Sequence, residues 1–401
     1  MKYTAEVAVV GGGVIGTAVA YYLSRQGADV LLLEQNELGS GTSSACDGFV
    51  IMQSKNPGVH LQLGLASARI YRDLTAELDW DLEYNPCGGL IVIERPDELP
   101  AMETFMHKQQ AIGLDVRLIS GEEARRLEPN LAPHVVGATY SAQDSQVNPL
   151  QVVLGFAQAA IRHGARVQQG TPVQSLVRKN GTIEKVVIPG GCVYAQSYIL
   201  CTGVFTSALL APLGLELPLR PRRGQLVVTE PAPSLVRHIL LCARYIAAKY
   251  HPELLAAAED DALRLGVGLA LEQTAAGTIL VGSTREFVDW DTSTTLEGVR
   301  TVLRHGARIL PALDKLHVIR TFAGLRPYTP DGLPYLGLLP GVDNLYIAAG
   351  HEGDGIALAP ITGQLLAELV VSGETSISLT EFAPDRFLQG KKQGGNPVIS
   401  P

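Results

Sequence analysis

The stretch Glu6-Val-Ala-Val-Val10, Gly11-Gly-Gly-Val-Ile-Gly16, Thr17 to Gln26, Gly27, then Asp29-Val-Leu-Leu-Leu33-Glu34-Gln35 decides the fold. A β-branched run ends in glycines, and an amphipathic helical pattern follows, closed by Gly27. A second apolar strand then ends in an acid. In such a βαβ unit Gly11 permits the tight turn, Gly13 lets backbone approach a pyrophosphate, and Gly16 lets helix and strand pack closely. The helix N-terminus at Val14 and Ile15 supplies free N–H groups and a partial positive charge for phosphates. Glu34 lies 18 residues past Gly16, where an acid accepts hydrogen bonds from ribose hydroxyls, with Gln35 beside it. An acid at 34 argues against a 2′-phosphate. A glycine-rich turn in an unrelated α/β protein is the alternative, and the order of strand, loop, helix, strand and acid weighs against it.

Working outward, Gly39-Ser-Gly-Thr-Ser-Ser-Ala-Cys-Asp-Gly-Phe49 is small and rich in hydroxyls and backbone donors. Thr42, Ser43, Ser44, Ala45, Gly48 and Phe49 can sit under a flat cofactor ring and offer N–H groups to its phosphates and edge. A plain surface loop is the other reading. Val59 to Leu82 has helical periodicity, and Cys87 to Ile93 reads as a strand. Met102–Ile112 and Gly121–Leu127 read as helices, the second opened by Ser120 with Glu123 three residues on, a capping box. Gly137–Tyr140 reads as a strand. Asn148-Pro149 starts a helix running to Arg162, and Ala165-Arg-Val-Gln168 begins a strand. Val173 lays its backbone against an adenine edge or simply ends a strand. Ser197 to Gly203 is a buried strand whose end, Thr202-Gly203, is small enough for backbone to meet the dinucleotide. Arg244–Lys249 and Thr278–Thr284 look like a strand pair, and Leu296–Leu310 is a helix stopped by Pro311.

The last block is dense in Gly and Pro from Phe322 to Gly337. The strand Leu345–Ala349 follows, then Gly350-His-Glu-Gly-Asp-Gly355 and a helix from Ile356 to Val371. This second strand–glycine–helix junction places Gly353, Asp354, Gly355 and Ile356 where a helix dipole faces an electron-rich cofactor group. An isoalloxazine needs such a dipole because reduction puts negative charge on it; a nicotinamide fold does not need this late junction. The expected fold is therefore α/β plus β. A Rossmann-like nucleotide domain makes three visits, 1–85, 144–222 and 320–387. A second, antiparallel-sheet substrate domain takes 86–143 and 223–319, and a polar tail, 388–401, is loose.

Composition bounds the partners. The chain has 401 residues with 46% hydrophobic and 18% charged residues, a globular balance. A net charge of −8 without a long basic run argues against nucleic acid and anionic membrane. The five cysteines show neither CxxC nor the spacing of a metal site, which points to reduced thiols, a cytosolic (cytoplasmic) setting and no iron–sulfur cluster held by this chain alone. The nucleotide motif starts almost at residue 1, so no leader is expected before it. The apolar stretches near Tyr198–Leu210 and Ile356–Val371 are broken by Gly, Pro, Thr or charge and read as buried elements, not membrane spans.

These residues resemble the D-amino-acid oxidase superfamily of flavoproteins, in particular the branch with glycine oxidase, sarcosine oxidase and the catalytic subunits of opine, D-hydroxyproline and cyanide-forming dehydrogenases. The resemblance rests on Gly11/Gly13/Gly16 with Glu34, Gly41-Thr-Ser-Ser-Ala45, Thr202-Gly203, Gly224-Gln225, Gly324-Leu-Arg-Pro327 with Asp331-Gly332, and Gly350-His351. It implies FAD held between two domains and oxidation of a C–N bond next to a carboxylate, by hydride transfer from Cα to flavin N5. In glycine oxidase the arginine of Gly-Leu-Arg-Pro pairs with the substrate carboxylate, which implies that role for Arg326, also beside the cofactor. A guanidinium offers a carboxylate a bidentate fork; a structural ion pair is the alternative. The family's substrate-covering tyrosine maps to Tyr245, or that residue is core packing. His351 polarises the flavin or receives a proton, or is a buried structural histidine.

There are departures. Glycine oxidase has a second arginine where this chain has Gly353. A Gly-His-Glu-Gly turn is similar to the opine and D-hydroxyproline dehydrogenase subunits, and 250–277 reads as an insertion into a simple hairpin, a length that is usually functional or a docking surface. Both tilt the expectation to a dehydrogenase subunit with a redox partner that supplies or shares a further FMN, FAD or iron–sulfur centre. The alternatives are a free-standing oxidase that makes hydrogen peroxide, and an assembly subunit without chemistry. No cysteine stands in the late region where sarcosine oxidase tethers its flavin, so the FAD is expected to be non-covalent.

Overall fold

Strand β1 (Lys2–Val10) begins exposed and ends fully buried, because its last four residues run between two neighbours. The computed structural model describes residues 1–244, 246 and 264–387, and the chain divides into two units. The first comprises Met1–Ser43, Val153–Arg220 and the chain from Arg326 onward. In it β1 pairs in parallel with β2 (Val30–Leu33) and β11 (Gly191–Leu200), with Val10 opposite both Leu33 and Leu200. β8 (Arg166–Gln168) lies beyond β2, and β18 (Leu345–Ala349) beyond β11, again parallel. β17 (Tyr335–Leu338) closes one edge in antiparallel fashion, and a hairpin of β9 (Ser175–Lys179) and β10 (Thr182–Ile188) pairs with β11.

Where the parallel strands lie side by side at the sheet's centre they are apolar and buried, at Val7–Val10, Val30–Leu33 and Tyr198–Leu200, because both faces are covered there. Helix α1 (Val14–Arg25) is buried nearly all round. It packs on helix α8 (Gly355–Ser372), and Gly363 makes this approach feasible: a methyl there would stand 2.8 Å from the Ala18 carbonyl. By length and composition α8 is the one helix among the described residues apolar enough to cross a membrane, and 61% of it is buried within the protein.

The second unit holds Ser44–Val152 and Pro221–Leu325. Its eight-stranded sheet runs β16 (Val318–Tyr328), β12 (Arg220–Thr229), β15 (Ile279–Gly282), β14 (Ala270–Gln273), β13 (Ile239–Cys242), β4 (Gly89–Ile93), β6 (Gly137–Ser141), β5 (Arg117–Ser120). Pairing is antiparallel at β12–β15, β15–β14, β14–β13, β4–β6 and β6–β5, and parallel at β13–β4. A two-stranded ribbon, β3 (Phe49–Val50) with β7 (Ser145–Gln146), stands apart from it. Leu90, Val92, Leu240, Leu271, Val281 and Val302 form the centre of the core. Helices α2 (Val59–Leu78), α3 (Leu99–Gln110), α4 (Gly121–Leu127) and α7 (Leu296–Ile309) complete the unit, with α5 (Pro149–Arg162) and α6 (Thr206–Leu210) elsewhere in the chain. Ser120 caps α4 by accepting from the Glu123 N–H, but the Glu123 carboxylate turns to Arg117 and the reciprocal half of the capping box is not made.

The structure departs from the sequence reading in four places. β15 pairs with β14, which lies inside the stretch read as an insertion. β16 runs into the Gly/Pro-dense block as far as Tyr328, and Arg244 and Ile246 are helical where a strand was expected. The first unit's opening segment ends at Ser43, so α2 belongs to the second unit; its Gly64 lies against Met52, where a methyl would be 3.0 Å from the sulfur. Tyr245, residues 250–263 of the stretch read as an insertion and the tail 388–401 lie outside the described residues.

Candidate functional site

Ligands of open parallel sheets bind at the carboxyl ends of the strands where strand order reverses. In the first unit that place is the end of β1, flanked by β2 and β11. Gly11 has φ +106°, and a methyl on it would stand 2.5 Å from the Cys201 carbonyl oxygen at the end of β11. A methyl on Gly16 would stand 1.8 Å from the Gly11 carbonyl oxygen. Only glycine fits either position. Gly13 differs: its methyl would meet only the Ser43 hydroxyl, at 3.3 Å, so the backbone there is bare rather than crowded. Gly13 is the N-cap of α1 without a side-chain cap, and Val14, Ile15 and Gly16 form the first turn, whose N–H groups the helix cannot satisfy itself. The Ser43 hydroxyl takes the Val14 N–H at 3.0 Å.

Glu34 is buried at the end of β2. Its Oε2 accepts from the Gly12 N–H at 2.6 Å and its Oε1 from the Asn36 N–H at 2.8 Å. Two backbone donors fix the carboxylate, and each oxygen keeps a further lone pair for a ribose hydroxyl. Sequence reasoning passed over Gly12, although a middle glycine in the run Gly11–Gly13 was the available signal. Gln35 is exposed, and Val173 is half-buried against the core of this unit. Thr202 and Gly203 sit at the end of β11, where Gly203 has φ +50° and the Thr202 hydroxyl meets that of Thr206 at 3.0 Å.

The second junction of this unit lies at the end of β18. Gly350 has φ +84°, and a methyl there would strike the Thr329 methyl at 2.6 Å. The Glu352 N–H donates to the Pro327 carbonyl at 3.2 Å, tying the turn to the segment that carries Arg326. Arg326 and Gly353 are thereby neighbours: a methyl on Gly353 would lie 3.6 Å from Arg326 Nε and 3.7 Å from its Cδ. Asp354 is the N-cap of α8, and Gly355 and Ile356 start it. His351 is buried, with Nε2 3.1 Å from the Thr362 hydroxyl on α8. One ring nitrogen is thus engaged in holding the turn to the helix.

In the second unit the loop Ala45–Phe49 is clasped from two sides. A methyl on Gly324 would stand 2.3 Å from the Ala45 carbonyl oxygen, and one on Gly48 would stand 1.9 Å from the Val147 carbonyl oxygen. The Gly48 N–H donates to Glu272 Oε1 at 2.9 Å. Thr42–Ser44 form a short 3₁₀ turn before this loop, and Phe49 is buried in β3. Gly324 was part of a recognised motif, but nothing local signals Glu272.

The family model for FAD dependent oxidoreductases matches residues 6–369. The chain belongs to that family. Glycine oxidase of Geobacillus kaustophilus is 30% identical over 402 residues, covering 97% of this chain and 98% of that protein. Glycine oxidase of Bacillus licheniformis is 29% identical over 379 residues, covering 92% and 94%. Among solved structures, L-proline dehydrogenase from P. horikoshii superposes with a TM-score of 0.88 at 25% identity, over 97% of this chain and 99% of that one. The fold is thus of the D-amino-acid oxidase type, and the protein is an FAD-dependent oxidoreductase. The bare Gly13 backbone, the first turn of α1 and the fixed Glu34 carboxylate fit the pyrophosphate and ribose of that cofactor. Among the described residues no His/Cys/Asp/Glu cluster suits a metal ion.

Proposed function

We propose that this FAD-dependent oxidoreductase oxidises the C–N bond of a small amino or imino acid, with secondary amines among its substrates. The observation that carries the reading is Arg326 beside Gly353, one bidentate cation whose flank is left without a side chain. When bound, FAD supplies the two-electron acceptor.

Gly11, Gly13, Gly16 and the first turn of α1 take the phosphates, and Glu34 takes the ribose. Arg326 binds the substrate carboxylate and so orients the neighbouring Cα, which converts binding energy into alignment. Pro327 stiffens the backbone beside it. The room at Gly353 admits a substituent on the substrate nitrogen, in keeping with a structural relative that acts on L-proline. The amine must arrive or become neutral for its lone pair to assist bond cleavage. The similarity to glycine oxidases supports oxygen as electron acceptor, whereas the Gly-His-Glu-Gly turn supports a protein partner.

Anaerobic titration of the purified protein with glycine, sarcosine, D-proline, L-proline and iminodiacetate tests the reading. Bleaching of the flavin band by at least one of them is expected, and no bleaching by any sinks it. Peroxide release by the chain alone in air decides for oxygen, and its absence despite bleaching decides for a partner.

A further inference from the structure

Glu272 sits on β14 and is 4% exposed. Among the described residues its Oε1 has one donor, the Gly48 N–H, and its Oε2 has no hydrogen-bond partner. With one N–H and no cation beside it among the described residues, an ionised Glu272 would leave most of its charge uncompensated, which costs far more than one unmade hydrogen bond of a neutral acid. Among the described residues the other titratable groups near it are Asp47, on the loop it holds, and Cys87, which also senses Asp144. Cys87 is a neutral thiol, pushed up to about 11 by burial, so neither of these neighbours offsets a negative charge at Glu272. Gly48 has no freedom to adapt, since its carbonyl accepts from the Val147 N–H at 2.9 Å and the Val147 carbonyl fills its Cβ position.

We propose that Glu272 is a positioning residue that carries its proton at neutral pH and, as the neutral acid, holds the Gly48 peptide of the Ala45–Phe49 loop in its cofactor-binding position. This rests on the reading of that loop as part of the flavin site. Burial and the nearby Asp47 charge push the Glu272 carboxyl up to about 8, in line with the geometry. Ionisation sets a second negative charge beside Asp47, and water can reach it only if the loop lifts. The loop's grip on the cofactor therefore weakens on the alkaline side.

The test uses the FAD-loaded protein between pH 6 and 10, with Glu272→Gln and Glu272→Ala. Flavin release is followed by fluorescence and unfolding by circular dichroism. Gln mimics the neutral acid: its amide oxygen accepts from Gly48, and it cannot ionise. The wild type is expected to release flavin with a midpoint near pH 8 and to lose Tm from pH 6 up to about 8, with no further Glu272-dependent loss above it. E272Q is expected to show neither step and to hold flavin at pH 9 within about twofold of the wild type at pH 6.5. E272A, which strands the Gly48 N–H, is expected to bind about tenfold more weakly at every pH. An alkaline step that persists in E272Q overturns the proposal. So does an E272Q protein as weak as E272A at pH 6.5, because the ionised form would then be the one that holds the loop. Neither readout needs turnover, so failure of the substrate reading leaves this test intact.

Discussion

The first unit has two strand–glycine–helix junctions, and they use glycine for different reasons. At the end of β1, Gly11 and Gly16 are demanded by backbone geometry: one has φ +106°, and the other would drive a methyl to 1.8 Å from a carbonyl oxygen. At the end of β18 only Gly350 is demanded in that way; Gly353 has ordinary backbone and nothing closer to its methyl position than Arg326 at 3.6 Å. The first junction is therefore closed to variation and suits an invariant part of a ligand. The second has slack beside its cation, and slack is where substrate preference can be set.

The largest expected effect breaks the first junction. Gly16→Ala should lower FAD affinity more than a thousandfold, roughly 4 kcal/mol, or prevent folding; flavin content after purification reads this. A Gly16→Ala protein that retains flavin would show that the two junctions do not differ in tolerance. Next, Arg326→Ala should raise KM by a few hundredfold, about 3 kcal/mol of lost charge pairing, with flavin content unchanged. Glu34→Gln sharpens the first side of the comparison. It keeps the shape but removes the charge that accepts from Gly12 and Asn36, and FAD should bind about tenfold more weakly, ~1.4 kcal/mol. Gly353→Ala is the smallest. Stability should stay within about 0.5 kcal/mol, while KM for sarcosine should rise more than KM for glycine. Equal rises would deny the slack a role in selectivity.

The contrast also explains what was legible in the sequence. The first junction is local: hydrophobic period, glycine spacing and terminal acid all fall within 29 residues from Glu6 to Glu34, and the chain folds there as written. β16 was hidden because Gly324 and Pro327 signal a turn, yet the glycine serves close approach to Ala45, and the proline stands near the strand's end. β14 was hidden because a glutamate interrupts its apolar run, and the partner that explains it, Gly48, is 224 residues away. Arg326 was assigned a role by resemblance and Gly353 was set against the family's second arginine, but that the two are neighbours is seen only where β16 meets the turn after β18. Sequence reads what neighbours in the chain do to each other and is silent on pairs made by topology.

The strand that delivers Arg326 has a genetic consequence. β16 runs from Val318 to Tyr328 without a break, and side chains along a strand alternate between faces. Deleting or adding a single codon anywhere from Val318 to Leu325 would present Leu325 or Pro327 where the guanidinium belongs and turn every later side chain over. Away from Gly324 and Arg326, single substitutions along this ribbon change one side chain each, whereas a length change moves all that follow. An indel scan of the gene should therefore show a silent interval here, with survivors resuming only beyond the strand's ends.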